Sequence, residues 1–354
     1  MTELSDLPIR DDLRGQKPYG APQIDVPVQL NVNENTHGIP EEVALDIIEE
    51  LAHAIRGANR YPDREFTVLR RSLADYLGHG VTPEQIWAAN GSNEVFQQFL
   101  QAFGGVGRSM LGFSPTYSMY PLLSAGVGVR WIGAPRLEDW ALTAEHVVET
   151  IERERPDIVV LCSPNNPTGT PVSLDVIRAA YDAHDGMLIV DEAYGEFQDQ
   201  PSAVTLLPGR PRLAVSRTMS KAFAFAGVRL GYLAADPAVI DAIRLVRLPY
   251  HLSVLTQAAA VAALRHADEM LAQVASIIEQ RDRMSTELRA MGYAPYESAA
   301  NFVLFGGVDD PKRVFDGLLA AGVIVRDVGI PGTLRVTAGT PAETDAFLEA
   351  LGRL

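Results

Sequence analysis

Lys221 stands in a stretch whose residue types suit chemistry at an amine, between a hydroxyl-rich run at 216–220 and a small-residue run at 222–227. The chain has only three lysines, Lys17, Lys221 and Lys312, and otherwise uses arginine. Arginine cannot deprotonate in proteins, whereas a buried lysine shifts its pKa readily and forms Schiff bases. The stretch therefore predicts a reactive amine at Lys221; the alternative is a surface or helix-start lysine present by chance.

Composition describes an acidic globular chain. Its 354 residues correspond to about two domains, at roughly 150 residues each. An apolar content of 47% is enough for a large core. A net charge of −15 argues against nucleic acid and anionic membrane as partners, because both need a basic face. It leaves open an anionic small substrate, which needs only a local cluster of arginines.

A single cysteine, Cys162, excludes an internal disulfide and favours a cytoplasmic location. Cys162 lies in an apolar run and is expected to pack as a small core residue. The N-terminal segment is acidic and lacks the pattern of a signal peptide, and no apolar run approaches the ~20 residues of a membrane span. The seven histidines show no metal-ligand spacing, so no metal site is expected.

Strand and helix patterns alternate from about residue 82 to residue 240. Helical patterns such as 93–103 and 174–183 separate most of the strand candidates. This alternation predicts an α/β fold with an open, mostly parallel, seven-stranded sheet flanked by helices. The predicted strands span 86–89, 109–113, 127–132, 158–161, 187–190, 213–215 and 229–233.

Three regions are expected: an N-terminal arm at 1–30, a large α/β domain at 31–240 and a smaller α+β domain at 241–354. The arm is rich in helix-breaking prolines and is expected to pack with the small domain or a partner subunit. The small domain combines long helical patterns, which end near Gly292, with short strands and a final helix capped at Thr340.

A helix is predicted to begin after Pro40. Its apolar residues are predicted to lie on one face. They are Val43, Ile47, Ile48, Leu51 and Ile55.

Polar clusters follow several of the predicted strands, at 91–93, 114–117, 163–169, 191–194 and 218–221. In open α/β sheets, ligands bind beyond the carboxyl ends of the strands. These clusters are therefore expected to form one active site.

Several motifs in the chain are similar to those of a known enzyme family. SPNNPTG (163–169), DEAY (191–194), SKAFAFAG (220–227) and Arg229 resemble the fold-type I pyridoxal-phosphate aminotransferases, in the same order and over nearly the whole chain. Within class II of that family, LNVNEN, RYPD, GSNE, RTMSKAFAFAG, the tail IVRDVG…LRVTAG and KPYG of the arm resemble the histidinol-phosphate aminotransferases. Each motif is short, but six in register are not expected by chance.

The resemblance implies pyridoxal 5′-phosphate as the cofactor, held by Lys221 through a Schiff base. Lys221 would then act as general base and acid, and a desolvated lysine beside cationic Arg229 has the lowered pKa that this role needs. The resemblance also implies that Asp191 pairs with the ring nitrogen and keeps it protonated. Judged without the family, Asp191 could also be a helix N-cap.

Other cofactor contacts are implied in the same way. Tyr194 and Asn166 would hydrogen-bond the ring 3′-oxygen, and Tyr117 would stack on the ring. Without the family, Asn166 belongs to an ordinary turn and Tyr117 to simple packing. A helix N-terminus, two hydroxyls and an arginine would bind the cofactor phosphate. These residues are Gly91, Ser92, Asn93, Thr218, Ser220 and Arg229.

Substrate contacts are implied for several further residues. Arg335 would bind the carboxylate of glutamate or 2-oxoglutarate, and Arg326 and Arg335 would hold a substrate phosphate. The alternative for either arginine is an exposed ion pair. Tyr61 would reach the cofactor phosphate and substrate from the partner subunit of a homodimer. Tyr19 and Asn33 would close over the substrate, and Asn166 would also contact it.

The chain departs from the family pattern in one place. Many relatives have proline and an aromatic residue after NEN, whereas this chain has Thr36 and His37. The resemblance therefore leaves the imidazole-side wall of the substrate site undefined.

The function that the resemblance implies is a ping-pong aminotransferase of histidine biosynthesis. It would exchange an amino group between L-histidinol phosphate and 2-oxoglutarate, giving imidazole acetol phosphate and L-glutamate. An aromatic amino-acid aminotransferase and a threonine-phosphate decarboxylase of the same fold stay as alternatives. A regulatory aminotransferase-like protein would need a basic helix-turn-helix module, for which the chain has no residues. A non-enzymatic partner protein would be colourless when purified, and replacing Lys221 with alanine would change neither its activity nor its spectrum.

Overall fold

The structure is a computed structural model that describes residues 6–15, 20 and 22–354. The predicted substrate contact of Tyr19 lies outside these residues. The strands are β1 (Val28–Gln29), β2 (Ile86–Ala89), β3 (Ser109–Ser114), β4 (Arg130–Pro135), β5 (Ile158–Cys162), β6 (Met187–Asp191), β7 (Leu213–Thr218), β8 (Gly231–Ala235), β9 (Ala294–Pro295), β10 (Phe302–Gly306), β11 (Val323–Ile324) and β12 (Leu334–Thr337). The helices are α1 (Glu41–Ile55), α2 (Thr67–Leu77), α3 (Ser92–Phe103), α4 (Met119–Gly126), α5 (Ala144–Glu154), α6 (Leu174–Asp182), α7 (Pro237–Val246), α8 (Val254–Arg265), α9 (Ala267–Ala290), α10 (Pro311–Ala320) and α11 (Pro341–Leu351).

The central sheet has seven strands in the order β2-β8-β7-β6-β5-β3-β4. Strand β8 runs antiparallel to β2 and β7, and all other neighbours are parallel. Residues of β5, β7 and β8 are buried throughout, as expected for strands covered by helices on both faces. The predicted mostly parallel, seven-stranded α/β sheet is confirmed.

Two strands begin later than predicted. The sequence pattern placed the start of β4 at residue 127 and that of β8 at residue 229, whereas these strands begin at Arg130 and Gly231. Gly128 has φ +76° and forms part of the turn that follows α4. This left-handed backbone conformation cannot belong to a strand, and glycine adopts it without steric cost.

Strands from the C-terminal third, together with β1, form two smaller sheets. Strand β10 pairs antiparallel with both β9 and β12, and β1 pairs parallel with β11. The final helix has the predicted capping box at Thr340 and Glu343, with proline in its first turn. The proposed division into an arm, a large domain and a small domain stays a prediction, although β1 ties residues 28–29 to the C-terminal third.

Helix α1 buries only part of its predicted apolar face. Val43 and Ile47 are buried, but Ile48 is 60% exposed and Ile55 is 56% exposed. Adjacent residues of a helix lie about 100° apart, so Ile47 and Ile48 cannot share one narrow face. Ile48 and Ile55 therefore contribute to an exposed apolar surface.

Within the described ranges, no helix is both long and apolar enough to cross a membrane.

Candidate active site

A cavity of about 1050 Å³ opens beyond the carboxyl ends of the central strands. Most of the predicted site residues line it, although they come from distant parts of the chain. They are Asn33, Ser92, Asn93, Tyr117, Asn166, Asp191, Tyr194, Thr218, Ser220, Lys221, Arg229, Arg326 and Arg335. Two of the other predicted residues, Gly91 and Tyr61, do not line the cavity of their own chain. Thr36 and His37 do not line it either.

Lys221 follows strand β7 and is half-buried. Its Nζ donates a hydrogen bond to the Val32 carbonyl oxygen at 3.1 Å and lies 6.0 Å from the centre of the Tyr194 ring. Burial, and then the nearby positive charges of Arg335 and Arg229, lower the pKa of Lys221 to about 8. Near neutral pH a useful fraction of this amine is therefore free to accept a proton.

The low pKa predicts selective labelling in the cofactor-free protein. Labelling of Lys221 by trinitrobenzenesulfonate, followed by peptide mass spectrometry, should reach half its maximal rate near pH 8. Lys312 is an internal control, because its hydrogen bond to Asp316 raises its pKa. Its labelling should still be increasing at pH values where that of Lys221 is complete. A Lys221 midpoint at or above that of Lys312 would contradict the assignment of a half-buried, low-pKa amine.

Asp191 ends strand β6 and is 3% exposed. One carboxylate oxygen accepts a hydrogen bond from the Tyr120 hydroxyl at 2.7 Å, and the other accepts one from the Ala193 amide at 3.1 Å. Burial raises the pKa of Asp191 to about 6, while these two hydrogen bonds oppose the shift. No α-helix begins at this residue, so Asp191 is not a helix cap.

Glu192 holds the loop that carries Asp191 and Tyr194. Its carboxylate accepts hydrogen bonds of 2.6 Å from the Ser202 hydroxyl and the Ala203 amide. Arg217 lies 3.6 Å from the same carboxylate and 2.8 Å from that of Glu196. Sequence reasoning missed this buried ionic group of Glu192, Glu196 and Arg217, which anchors the loop.

The Tyr194 hydroxyl is the centre of a polar network. It accepts hydrogen bonds from Asn33 at 2.9 Å and from Asn166 at 3.3 Å. Arg335 donates to the Asn166 side-chain oxygen at 2.6 Å and to the Asn31 carbonyl at 2.9 Å. Four residues predicted from separate motifs therefore form one connected group.

An anion-binding cup is built where α3 begins. A Cβ atom on Gly91 would lie 2.4 Å from a guanidinium nitrogen of Arg229, and one on Gly231 would lie 2.2 Å from the Ser92 amide. Only glycine at these positions lets the arginine and strand β8 approach the helix start so closely. The first amides of a helix have no intrahelical partner and favour anions.

Two hydroxyls complete the cup. The Thr218 and Ser220 side chains lie 3.0 Å apart, and both line the cavity beside Arg229. A phosphate-sized anion fits this combination of helix N-terminus, hydroxyls and guanidinium. Gly91 contributes by its lack of a side chain.

Arg326 and Arg335 are neighbours in the structure, and both line the cavity. Each backbone amide donates to the other residue's carbonyl at 2.9 Å, so the two arginines stand side by side. The planar guanidinium of arginine suits a dianionic phosphate or a carboxylate.

Tyr61 lies outside the cavity of its own chain and is 80% exposed. Its ring stacks on that of Tyr250, with centroids 4.4 Å apart and an interplanar angle of 13°. Sequence reasoning missed Tyr250. Nothing in the local sequence pattern signals the pairing, because the two tyrosines lie on loops far apart in the chain.

Comparison with known proteins defines the class. The family model for aminotransferase class I and II matches residues 25–351. The chain belongs to this family, whose members transfer amino groups. The fold class and the family resemblance predicted from the motifs are confirmed.

Within this family, the chain is similar to proteins named histidinol-phosphate aminotransferase. The chain is 60% identical over 359 residues to the histidinol-phosphate aminotransferase of Paenarthrobacter aurescens (strain TC1), covering 100% of this chain and 96% of that protein. It is 57% identical to the protein of the same name from Mycolicibacterium smegmatis (strain ATCC 700084 / mc(2)155), covering 98% of this chain and 93% of that protein.

Solved structures agree with this class. Histidinol-phosphate aminotransferase from Sinorhizobium meliloti, in complex with pyridoxal-5′-phosphate, superposes with a TM-score of 0.84 at 27% identity, covering 93% of this chain and 90% of that one. Aspartate aminotransferase from Thermus thermophilus, with maleate, gives a TM-score of 0.80 at 26% identity, covering 93% and 92%.

Proposed function

We propose that this chain exchanges an amino group between L-histidinol phosphate and 2-oxoglutarate, giving imidazole acetol phosphate and L-glutamate, as a step of L-histidine biosynthesis. The observation that carries the proposal is a single cavity that contains a low-pKa amine, a buried carboxylate, an anion-binding cup and two further arginines. The two anion-binding regions match a phosphorylated cofactor and a phosphorylated substrate. The names of the full-length relatives support the same reaction.

Pyridoxal 5′-phosphate fits the residues that are present. Lys221 would hold it covalently, and Asp191 would face its ring nitrogen. Tyr194 and Asn166 would contact the ring oxygen, and Tyr117 the ring face. The cup at the start of α3 would bind its phosphate. When bound, this cofactor supplies an electron sink for the negative charge that develops at the substrate carbon.

The chain's own residues have separable tasks. The Lys221 Nζ takes the proton from the substrate carbon that bears the amine, for which its pKa of about 8 is suited. Asp191, when ionised, would stabilise the positive charge of a protonated ring nitrogen on the bound cofactor. Arg335 orients the substrate carboxylate, and Arg326 with Arg335 binds the substrate phosphate. Asn33 and Tyr61 belong to the proposed substrate contacts.

We also propose a homodimer in which Tyr61 enters the site of the partner. Large apolar side chains are exposed on α1, α2, α7, α8 and the loops between these helices. They are Leu45, Ile48, Ile55, Tyr61, Val68, Leu245, Leu248, Tyr250 and Leu255. An exposed apolar surface of this size marks a protein interface in a soluble enzyme. A site completed by the partner explains why Tyr61 does not reach its own cavity.

Replacing Ile48 with glutamate should separate the subunits. A charge in the middle of an apolar interface is costly to bury, so we expect monomers at micromolar concentration and a rate at least about tenfold lower. Light scattering after size exclusion and the half-reaction rate measure the two effects. Val106, which is 93% exposed elsewhere on the surface, provides the matched control Val106→Glu. A dimeric, fully active Ile48→Glu variant would contradict the proposed interface.

A comparison of half-reactions tests the proposed substrate. The protein loaded with pyridoxal phosphate is mixed separately with histidinol phosphate, glutamate, phenylalanine and threonine phosphate, and the absorbance of the bound cofactor is followed. Histidinol phosphate and glutamate should react far faster than the other two. If phenylalanine equals histidinol phosphate, the enzyme is an aromatic amino-acid aminotransferase. If none of them reacts, the proposal is wrong.

A further inference from the structure

We propose that Tyr120 is a positioning residue of this site, whose hydroxyl keeps the Asp191 carboxylate ionised and aimed at the cofactor ring nitrogen. The inference rests on the proposed function, since it gives Asp191 that role. Tyr120 itself does not line the cavity and touches neither cofactor nor substrate.

The geometry ties Tyr120 directly to Asp191. Tyr120 lies in the first turn of α4 and is completely buried. Its hydroxyl donates to Asp191 at 2.7 Å, across 71 residues of sequence. Among the described residues no lysine, arginine or histidine forms an ion pair with Asp191, so this phenol is the side chain that stabilises its negative charge.

Apart from the Ala193 amide, the remaining groups around Asp191 do not favour ionisation. Cys162 is its register partner on β5, and burial raises the pKa of that thiol to about 12, so the thiol is neutral. Glu192, the next residue in the chain, opposes a second negative charge nearby. Ser216 is the register partner on β7. Burial alone would favour a neutral Asp191, and the Tyr120 hydrogen bond is the strongest contact that opposes this.

The ring of Tyr120 is held firmly in place. It packs edge-on against Tyr117, with centroids 5.4 Å apart at 87°, and contacts Phe96 at 5.2 Å and Trp131 at 6.2 Å. Tyr117 is the residue proposed to stack on the cofactor. Tyr120 therefore contacts both Asp191 and Tyr117, the two side chains proposed to orient the cofactor ring. Burial also raises the pKa of Tyr120 well above its ordinary value, so it stays a hydrogen-bond donor at every working pH.

Tyr120→Phe isolates the hydroxyl, because the aromatic packing is kept. Asp191 loses the bond that favours its charged form, so its pKa rises. As the solution is acidified, the carboxylate becomes protonated at a higher pH than in the natural protein. The acid limb of the pH profile of the half-reaction rate therefore moves to higher pH. We expect a rate roughly ten- to a hundredfold lower near pH 7 and a smaller loss near pH 9.

Cofactor binding gives a second readout that does not depend on activity. The dissociation constant of pyridoxal phosphate, measured by equilibrium dialysis across pH, should increase as Asp191 becomes protonated. In Tyr120→Phe this weakening should begin at a higher pH than in the natural protein. In an Asp191→Asn background, where nothing titrates at this position, Tyr120→Phe should cause no shift.

Tyr232→Phe is the matched control. Tyr232 is 1% exposed, and its hydroxyl has no hydrogen-bond partner among the described residues. Removal of the Tyr232 hydroxyl should shift neither the pH profile of the rate nor that of the dissociation constant. Equal losses at all pH values in Tyr120→Phe, or the same shift in the Asp191→Asn background, would overturn the inference. Failure of the natural protein to bind pyridoxal phosphate or to react would instead overturn the proposed function.

Discussion

Replacing Lys221 with alanine is expected to lower the half-reaction rate by roughly ten-thousandfold or more. The substitution removes both the covalent attachment of the cofactor and the group that moves the substrate proton. Among the described residues that line the cavity, Lys221 is the only lysine, so no second amine can replace it. Stopped-flow absorbance with histidinol phosphate measures the rate. Borohydride reduction followed by peptide mass spectrometry shows where the cofactor is attached.

Lys312→Ala is the matched control, because Lys312 is 82% exposed and lies outside the active-site cavity. It should keep full activity. Added methylamine should restore part of the Lys221→Ala rate, because a small free amine can enter the vacated space and accept the proton. A Lys221→Ala protein that reacts at the natural rate would rule out the mechanism.

Arg335→Lys is expected to lower kcat/KM roughly a hundredfold for both glutamate and histidinol phosphate. Lysine keeps the charge but loses the planar fork that donates to Asn166 and Asn31 while facing the cavity. Bound anions should be oriented less well, and the hydrogen-bond network around Tyr194 should be weakened. Steady-state kinetics with each substrate measure the effect.

Arg326→Lys separates the two anion-binding tasks. Arg326 is proposed to bind the substrate phosphate and not the glutamate carboxylate. We therefore expect a loss of roughly tenfold or more for histidinol phosphate and little change for glutamate. Equal losses for both substrates in Arg326→Lys, or a loss for histidinol phosphate alone in Arg335→Lys, would contradict the assigned roles.

Much of the fold was predictable because strands buried on both faces leave a clear pattern of apolar runs. Strands β2, β5 and β6 begin where the sequence pattern places them. The polar clusters after the strands were correctly expected to meet, since parallel strands bring their carboxyl ends to one edge. Burial was less predictable, because a local pattern does not determine packing. The exposed Ile48 on α1 follows an apolar spacing that resembles a core face.

The site was less predictable where function depends on contacts between distant residues. Lys221 and Asp191 were found through residue type, position and motif. Tyr120 was missed because its only local signal is its spacing of three from Tyr117, whereas its importance lies in a bond to Asp191. The neighbour that lowers the Lys221 pKa was expected to be Arg229, yet the structure adds Arg335 as the stronger influence. Such charge neighbours become visible only in three dimensions.

The most direct test follows the nitrogen atom itself. The protein loaded with pyridoxal phosphate is incubated with heavy-nitrogen-labelled histidinol phosphate and unlabelled 2-oxoglutarate, and the products are identified by mass spectrometry. The proposed reaction predicts labelled glutamate and imidazole acetol phosphate in equal amounts, with neither formed by Lys221→Ala. Absence of label in glutamate, or faster transfer from labelled phenylalanine, would contradict the proposed function.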